Sequence, residues 1–326
     1  MQITQTKTST TTEPLISFII TSYNLPISML RECLNSILAL SLNKSEREIV
    51  FIDDGSATSP LNELSSYADD IIYIRQSNSG LSEARNRGIQ YSSGTYLQFV
   101  DGDDKLNPTA YDYCLSLLRS HDPDIVTFHL TENLHSQKTP ICNGPMTGSE
   151  YMRHHNLRAS ACGYIFRRTL LLGQRFTPGI LHEDEEFTPL LFLRADRLFS
   201  TDAQAYYYRP RGSSIMHKKD EQWVTKRLDD TLGVLFRLNE RSATLPQAER
   251  EALQRRVHQL TMDYLYNVIT LTHSKTLLEE ALDKLHSQGL FPLPAKNYTM
   301  KYALFRRMVN SRNGRRLLLL GSKAER

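Results

Sequence analysis

Residues 95–104 of the chain read Thr-Tyr-Leu-Gln-Phe-Val-Asp-Gly-Asp-Asp. The first six residues are mostly β-branched, aromatic or apolar, and such a run predicts a buried strand. The strand leads directly into Asp101, Asp103 and Asp104, whose like charges repel one another and resist burial. A cation that prefers oxygen ligands, such as Mg²⁺ or Mn²⁺, would relieve this repulsion. An inert, solvated Asp-Gly turn explains the same residues equally well.

Three further apolar runs precede this stretch and predict strands at residues 15–20, 48–52 and 71–74. Strands that alternate with helices at this spacing predict an α/β fold with a mainly parallel sheet flanked by helices. The first two strands end in the polar loops 21–24 and 53–56. These loops are expected beside the acidic stretch at the carboxyl edge of the sheet, where α/β proteins bind their ligands.

The loop Asn78-Ser79-Gly80 precedes a predicted helix, residues 81–91, that carries Arg85 and Asn86. A helix N-terminus with a nearby arginine is a phosphate-binding arrangement. A capped helix without a ligand is the alternative. Tyr23 presents a similar choice, between stacking on a nucleobase and a structural role. Asp54 either accepts a hydrogen bond from a base or ribose, or belongs to an inert acidic turn.

The pattern is looser after Pro108. Helices are predicted at residues 109–118 and 151–157, strands at 124–130, 163–166 and 197–209, and a loop at 131–148. The acidic run His182-Glu183-Asp184-Glu185-Glu186 starts another helix. Carboxylates in a first turn are favoured by the helix dipole alone, and a general base is the competing interpretation. From about Asp220 onward the pattern is helical, at residues 223–238, 247–271 and 276–286.

The composition is that of a soluble globular protein, with 40% hydrophobic and 23% charged residues. A net charge of +3 is too small to indicate a nucleic-acid partner. The four cysteines form no C-x-x-C pair, which predicts reduced, buried thiols in a cytoplasmic protein. Residues 1–13 lack the apolar run of a signal peptide and are predicted to be a disordered tail. No stretch reaches the ~18 apolar residues of a membrane-spanning helix.

Five stretches, in this order, resemble motifs of the family 2 glycosyltransferases, which are inverting nucleotide-sugar enzymes of the GT-A fold. The stretches are Ile-Ile-Thr-Ser-Tyr-Asn (19–24), Val-Phe-Ile-Asp-Asp-Gly-Ser (50–56), Asn-Ser-Gly-Leu-Ser-Glu-Ala-Arg-Asn-Arg-Gly-Ile (78–89), Tyr-Leu-Gln-Phe-Val-Asp-Gly-Asp-Asp (96–104) and His-Glu-Asp-Glu-Glu-Phe (182–187). The resemblance implies a GT-A domain at 14–219, with a Rossmann-like nucleotide-binding half at 14–105 and an acceptor-side half at 106–219. A C-terminal helical region at 220–326 follows it.

The resemblance also implies roles for individual residues. Thr21 and Tyr23 match the nucleoside pocket, and Asp54 matches the carboxylate that reads the uracil imide nitrogen. Further nucleotide-site positions are Asp53, Gly80, Arg85, Asn86, Asp101 and Gly102. The implied ligands of a Mn²⁺ or Mg²⁺ ion are Asp103 first, and then Asp101, Asp104 and His217. Asp184 matches the catalytic base. Arg209 and Arg211 lie on a segment that resembles a mobile loop over the diphosphate, with a solvated basic loop as the alternative.

The implied activity is transfer of one sugar, with inversion, from a nucleotide-sugar, most simply a UDP-sugar. A hexosyl or N-acetylhexosaminyl unit would pass to a hydroxyl of a surface glycan or lipid-linked saccharide. A sugar-1-phosphate nucleotidyltransferase is an alternative. That family has a Gly-rich loop after the first strand, whereas residues 21–24 of this chain contain no glycine, which argues against it. The other alternative is a non-catalytic nucleotide-sugar-binding protein, although the carboxylates at positions 54, 101, 103 and 184 are all present.

The C-terminal tail combines apolar and basic residues. Tyr302, Phe305 and Val309 fall on one helical face among lysines and arginines, and Leu317 to Leu320 follow. Such a segment can lie on an anionic leaflet, so peripheral contact with the inner face of a membrane is one expectation. A helix packed on the protein with a solvated basic face is the alternative, which the sequence slightly favours.

Overall fold

The structure is a computed structural model that describes residues 13–133, 139–210 and 220–324. Residues 1–12 of the predicted tail lie outside this range. The strands are β1 (Ile16–Ser22), β2 (Arg47–Asp53), β3 (Ile72–Arg75), β4 (Tyr96–Asp101), β5 (Lys105–Leu106), β6 (Ile125–Thr127), β7 (Leu130–Thr131), β8 (Cys142–Met146), β9 (Tyr164–Arg167), β10 (Leu198–Thr201) and β11 (Tyr206–Tyr207). The helices are α1 (Ile27–Leu38), α2 (Leu81–Tyr91), α3 (Pro108–His121), α4 (Gly148–His154), α5 (Glu183–Phe192), α6 (Glu221–Ala243), α7 (Gln247–Thr272), α8 (Lys275–Ser287), α9 (Met300–Val309) and α10 (Arg312–Ala324).

An eight-stranded sheet has the strand order β3-β2-β1-β4-β9-β6-β10-β8. The first four strands are parallel, whereas β9 runs antiparallel to β4 and β6. Every residue of β1 is buried, and α2 packs on it at close range. A Cβ atom added at Gly88 of α2 would lie 2.1 Å from Ile19 Cγ2. The predicted α/β class, with its mainly parallel sheet flanked by helices, is therefore confirmed.

The chain divides into two compact units. The first consists of Met1–Asn143, Cys162–Gly173 and Ser200–Arg209. It contains the four parallel strands, α1 to α3, and a three-stranded sheet of order β5-β11-β7.

The second unit consists of Gly144–Ala161, Gln174–Phe199 and Pro210–Arg326. Its central helix is α7, which contacts α4, α6, α8, α9 and α10. The predicted helical region is present, since α6 begins at Glu221 and its first turn is capped by the Asp220 carboxylate. A domain boundary at residue 220 stays a prediction. Among the described helices, none has the length and apolar character required to cross a bilayer.

Several predicted elements differ from those observed. The strand predicted at 124–130 is split into β6 and β7, and the strand predicted at 197–209 into β10 and β11. At both breaks the chain leaves the eight-stranded sheet and joins the three-stranded one, a change that an apolar run does not reveal. The predicted loop 131–148 contains β8, an edge strand that tolerates Pro145 because an edge position leaves one side unpaired.

Candidate active site

The polar ends of three parallel strands meet at one edge of the sheet in the first unit. The register pairs Ser22 of β1 with Asp53 of β2, and Thr21 of β1 with Asp101 of β4. The Gly102 N–H donates to the Thr21 carbonyl oxygen at 3.0 Å, which continues the pairing beyond β4. The loops after β1, β2 and β4 are therefore neighbours, as the alternation of strands and helices predicts.

Asp53 anchors the loop after β2 and is fully buried. Its carboxylate accepts hydrogen bonds from the Ser56 N–H at 3.0 Å, the Tyr73 hydroxyl at 2.9 Å and the Arg75 guanidinium at 3.0 Å. These partners occupy both carboxylate oxygens and leave the side chain no accessible surface. Asp53 therefore holds the shape of the loop, and its expected contact with a nucleotide stays a prediction.

Asp54 joins the loop after β2 to the N-terminus of α2. Its Oδ1 accepts from Gln76 Nε2 at 2.7 Å and from the Ser79 N–H at 2.9 Å, and its Oδ2 accepts from the Gly80 N–H at 2.9 Å. The Asn78 side chain in turn donates to the Asp54 carbonyl oxygen at 3.1 Å. A carboxylate oxygen can accept two hydrogen bonds, so Oδ2 retains one acceptor position.

The approach of these two loops requires glycine at position 55. Gly55 has φ +75°, and a Cβ atom there would lie 2.5 Å from the Asn78 backbone nitrogen. Gly80 has φ +88° and ψ 166°, a combination that is essentially restricted to glycine. The glycines of these two motifs therefore set the backbone geometry on which the Asp54 hydrogen bonds depend.

Gly55→Ala is expected to lower both the free energy of unfolding and the affinity for nucleotide. A left-handed φ at a non-glycine residue costs about 1–3 kcal/mol, and the collision with Asn78 would also displace residues 78–80. Gly173→Ala is the matched control, because Gly173 has φ +84° and no neighbouring atom within 4 Å of an added Cβ. Denaturant titration and nucleotide binding compare the two variants. Equal losses in both would show that the Asn78 contact is unimportant.

Tyr23 lies on the loop after β1 with 52% of its surface exposed, so its ring is available for stacking. Asn24 holds this loop against the neighbouring one. Its N–H donates to Ser56 Oγ at 2.9 Å, and its side-chain oxygen accepts from the Ala57 N–H at 2.8 Å. Asn24 also has a left-handed φ of 50°, which asparagine tolerates better than most residues. Sequence reasoning assigned no role to Asn24 or Ser56.

Arg85 of α2 and Asp101 at the end of β4 form an ion pair. The guanidinium is almost fully buried, lies over the Phe99 ring and donates to Asp101 Oδ1 at 3.1 Å. Asn86, the next residue of α2, is partly buried. Arg85 therefore orients the Asp101 carboxylate. The family resemblance placed Arg85 at the nucleotide site but did not predict this contact.

Asp104 is buried and both of its oxygens accept hydrogen bonds within the protein. The Tyr206 hydroxyl donates to Oδ2 at 2.8 Å and the Arg209 N–H donates to Oδ1 at 2.8 Å. Burial, followed by the charges of Asp101 and Asp103, raises the pKa of Asp104 to about 8. Burial is the larger cause of the raised pKa, and the neighbouring carboxylates add to it. Asp104 therefore supports the turn through Tyr206 and Arg209, and its expected role as a further metal ligand stays a prediction.

Tyr206 and Arg209 complete the acidic turn from a distant part of the chain. The Tyr206 hydroxyl also accepts from the Asp101 N–H at 3.1 Å. Arg209 donates through Nε to the Asp103 carbonyl oxygen at 2.8 Å and through its terminal nitrogen to Glu32 at 2.8 Å. The sequence signal for Tyr206 was only its place in a run of three tyrosines. Arg211 and His217 lie outside the described residues.

The donor set at this turn suits a divalent cation in part. Asp101 and Asp103 are partly exposed carboxylates, and oxygen ligands of this kind are those that Mg²⁺ and Mn²⁺ prefer. A cation beside them would also offset the charge that raises the pKa of Asp104. Within residues 13–133, 139–210 and 220–324, no cluster of three or more His, Cys, Asp or Glu side chains is arranged around a metal position. Two carboxylates therefore fit the ion, and its other ligands would come from the bound molecule or water.

The predicted catalytic carboxylate belongs to the second unit. Asp184 lies in the first turn of α5 and is partly buried, whereas the adjacent Glu183 is buried. Glu185 is paired with Arg256. Glu186 accepts two hydrogen bonds from the Arg237 guanidinium, at 2.7 and 2.8 Å. Glu185 and Glu186 are thus bound to arginines of α7 and α6.

Comparison with known proteins identifies similar sequences and folds. Residues 17–138 match the family model "Glycosyl transferase family 2". The uncharacterized glycosyltransferase EpsJ of Bacillus subtilis is 30% identical over 219 residues, which cover 62% of this chain and 63% of EpsJ. The chain spans less than two thirds of the length of EpsJ and of other curated relatives, and 33% of one of them.

Two solved structures have the same fold. S. aureus TarS 1–349 in complex with UDP-GlcNAc is 20% identical, with a TM-score of 0.62 and 90% of each chain covered. The mannosyltransferase PcManGT from Pyrobaculum calidifontis, in complex with GDP-Man and Mn²⁺, is 13% identical with a TM-score of 0.57, covering 96% of this chain and 87% of that one. At these identities the likeness concerns the fold, which is of the GT-A type. Residues 17–138 thus match the glycosyl transferase family 2 model, within a chain whose fold is like that of these two structures.

Proposed function

We propose that the protein is an inverting glycosyltransferase that moves one sugar from a nucleotide-sugar to a hydroxyl group of a glycan or lipid-linked saccharide. The observation that carries this proposal is the convergence of the three loops after β1, β2 and β4. They place an exposed aromatic ring, a buried carboxylate with a spare acceptor position and a turn that carries three carboxylates at one sheet edge. This set can bind a base, a ribose and a cation-bound diphosphate.

The nucleoside part of the donor would lie against the loops after β1 and β2. Tyr23 would stack on the base with its exposed ring. The remaining acceptor position of Asp54 Oδ2 would receive one N–H from the base. The buried hydrogen bonds of Asp54 fix the direction of that acceptor, so a base that presents a bare ring nitrogen there would leave the carboxylate unsatisfied and repelled.

The diphosphate part would lie at the turn after β4. Asp103, with Asp101 held by Arg85, would bind Mn²⁺ or Mg²⁺. When bound, the ion neutralises charge that develops on the departing nucleoside diphosphate. Arg209 holds the turn through hydrogen bonds to Asp104 and Asp103, and Arg211 and His217 would contact the donor. The protein residues thus bind and orient the donor without themselves forming a covalent bond to the sugar.

Asp184 would act as the general base. The attacking hydroxyl must lose its proton as it bonds to the anomeric carbon, and a carboxylate within hydrogen-bond reach accepts that proton. Attack opposite the leaving diphosphate inverts the anomeric centre. We propose that the transferred sugar is a hexosyl or an N-acetylhexosaminyl unit. Donors of both kinds belong in the panel described next.

The general test is a panel of nucleotide-sugars, assayed for thermal stabilisation and for donor hydrolysis with Mn²⁺ and then with EDTA. A glycosyltransferase is expected to release nucleoside diphosphate slowly from its own donor in the presence of Mn²⁺. A sugar-1-phosphate nucleotidyltransferase would instead release pyrophosphate from a nucleoside triphosphate and a sugar phosphate. A protein that binds a nucleotide-sugar but neither hydrolyses it nor transfers its sugar to any acceptor would contradict the proposed activity.

UDP is expected to bind more tightly than CDP by about 10-fold or more, since one buried hydrogen bond to a charged group contributes about 1.5–3 kcal/mol. Calorimetry in Mn²⁺ measures the difference. The matched control is UDP methylated at the imide nitrogen, which keeps the uracil shape but removes the N–H. It should bind as weakly as CDP. Equal affinities for UDP and CDP, or tighter binding of GDP, would contradict the role assigned to Asp54.

A further inference from the structure

The C-terminal part of the second unit carries an unusual concentration of positive charge. Residues 284–324 contain nine Lys or Arg residues and no Asp or Glu. The whole chain has 39 basic and 36 acidic residues, so the rest of it, with 30 basic and 36 acidic residues, has a net charge of −6. The charge of the protein is therefore strongly asymmetric along the chain, and the positive end coincides with α9 and α10.

The face of α9 that was expected to contact a membrane is not accessible. Tyr302, Phe305 and Val309 are buried, because α9 packs against α7 and α10. The expectation for this face is therefore wrong, and the alternative of a helix packed on the protein is correct for it. The opposite face exposes Met300 (90%) and Leu304 (62%).

The basic residues of α9 flank this exposed apolar strip. At 100° per residue, Lys301 lies on one side of Met300 and Leu304, and Arg307 lies on the other. Both basic residues are exposed. The Lys301 ammonium lies 5.2 Å from the ring centroid of Tyr266, and the Tyr266 ring is 42% exposed.

Helix α10 repeats the arrangement. Its inner side includes the buried Gly314, where a Cβ atom would lie 2.2 Å from the Met308 carbonyl oxygen. Its outer side exposes Leu317 (61%) and Leu320 (66%). Arg312 and Arg316 are exposed one turn apart beside these leucines. Among the described residues, no carboxylate forms an ion pair with Lys301, Arg307, Arg312 or Arg316.

We propose that the outer faces of α9 and α10 bind the surface of an anionic phospholipid bilayer. We call the set Met300, Lys301, Leu304, Arg307, Arg312, Arg316, Leu317 and Leu320 the basic-apolar surface. Its basic side chains would contact lipid phosphates, and its leucines and methionine would enter the boundary between headgroups and acyl chains. This proposal is independent of the proposed donor and reaction.

The apolar residues distinguish a bilayer from other acidic partners. Nucleic acid would account for the unpaired arginines and lysines, but it offers no apolar phase for four exposed Met and Leu side chains. A bilayer interface satisfies both kinds of side chain at once. Lysine and arginine stems can also lie along the apolar boundary while their charged ends reach the phosphates.

Flotation of the full chain with lipid vesicles tests the proposal. The protein is expected to float with vesicles of phosphatidylcholine containing 30% phosphatidylglycerol, and not with phosphatidylcholine alone. The double variant Arg312→Gln/Arg316→Gln should weaken binding by about 5-fold per charge removed, and added salt should weaken wild-type binding. The double variant Leu317→Ser/Leu320→Ser should also reduce binding severely, because insertion is lost.

Two controls separate this surface from general effects. Lys44→Gln/Lys275→Gln removes two exposed charges elsewhere, and Leu172→Ser removes a leucine that is 80% exposed in the first unit. Both should float like the wild type, and circular dichroism should confirm folding of every variant. Absence of binding to anionic vesicles would overturn the proposal. So would full binding by the leucine variant, or displacement of the protein from vesicles by an equal concentration of duplex DNA phosphate.

Discussion

Asp184→Asn is expected to lower turnover by roughly 10²–10⁴-fold, the usual contribution of a positioned general base, while binding of the nucleoside diphosphate survives. The substitution keeps the shape of the side chain but removes its ability to accept the proton. Binding should survive because the proposed nucleotide contacts at Tyr23, Asp54 and Asp103 all belong to the first unit, whereas Asp184 belongs to the second.

The motif match selects Asp184 among the acidic residues of this turn. Glu185 and Glu186 are bound to Arg256 and Arg237. Glu183 is buried at the start of α5, whereas Asp184 retains accessible surface. Adjacent helical residues point about 100° apart, so Glu183 and Asp184 cannot both face the same acceptor hydroxyl.

Glu183→Gln is the matched control for this prediction. It neutralises the adjacent carboxylate in the same turn and should leave much more activity than Asp184→Asn. Steady-state kinetics with the best donor and acceptor give turnover, calorimetry gives UDP affinity, and thermal unfolding shows whether either variant is misfolded. Near-wild-type turnover of a folded Asp184→Asn protein would exclude Asp184 as the base.

Asp103→Asn is expected to abolish most of the Mn²⁺-dependent affinity for UDP. Loss of a residue that merely orients a metal ligand costs 10–100-fold in metal affinity, so loss of a ligand itself should cost at least about 10-fold. Asp103 is a partly exposed carboxylate of the turn, and it is the metal position that the family resemblance names first.

The experiment compares UDP binding in Mn²⁺ and in EDTA. Wild type and Asp103→Asn should differ in Mn²⁺ and coincide in EDTA, because the base and ribose contacts do not involve the ion. Asp69→Asn, which removes an exposed carboxylate from the same unit, should behave like the wild type. A variant at position 103 that gains as much affinity from Mn²⁺ as the wild type would show that Asp103 is not a ligand.

The sequence by itself determined the parallel part of the sheet. The strands β1, β2 and β4 are runs of mostly apolar and mostly buried residues, whereas β3 is partly exposed. Helix α2 carries its core residues at helical spacing, so local pattern and final environment agree for these elements. Parallel strands have their carboxyl ends at the same edge of a sheet. The loops after β1, β2 and β4 could therefore be predicted to lie together, as they do.

Only the tertiary structure decided how the site is supported. Tyr206 and Arg209, which bind Asp104, lie about a hundred residues further along the chain. Arg85 of α2 forms an ion pair with Asp101 at the end of β4. No local pattern encodes such pairs, since their partners are chosen by the packing of distant segments. The C-terminal helices show the same dependence on distant segments. Periodicity alone does not say which face of α9 is buried, and contact with α7 and α10 decides this.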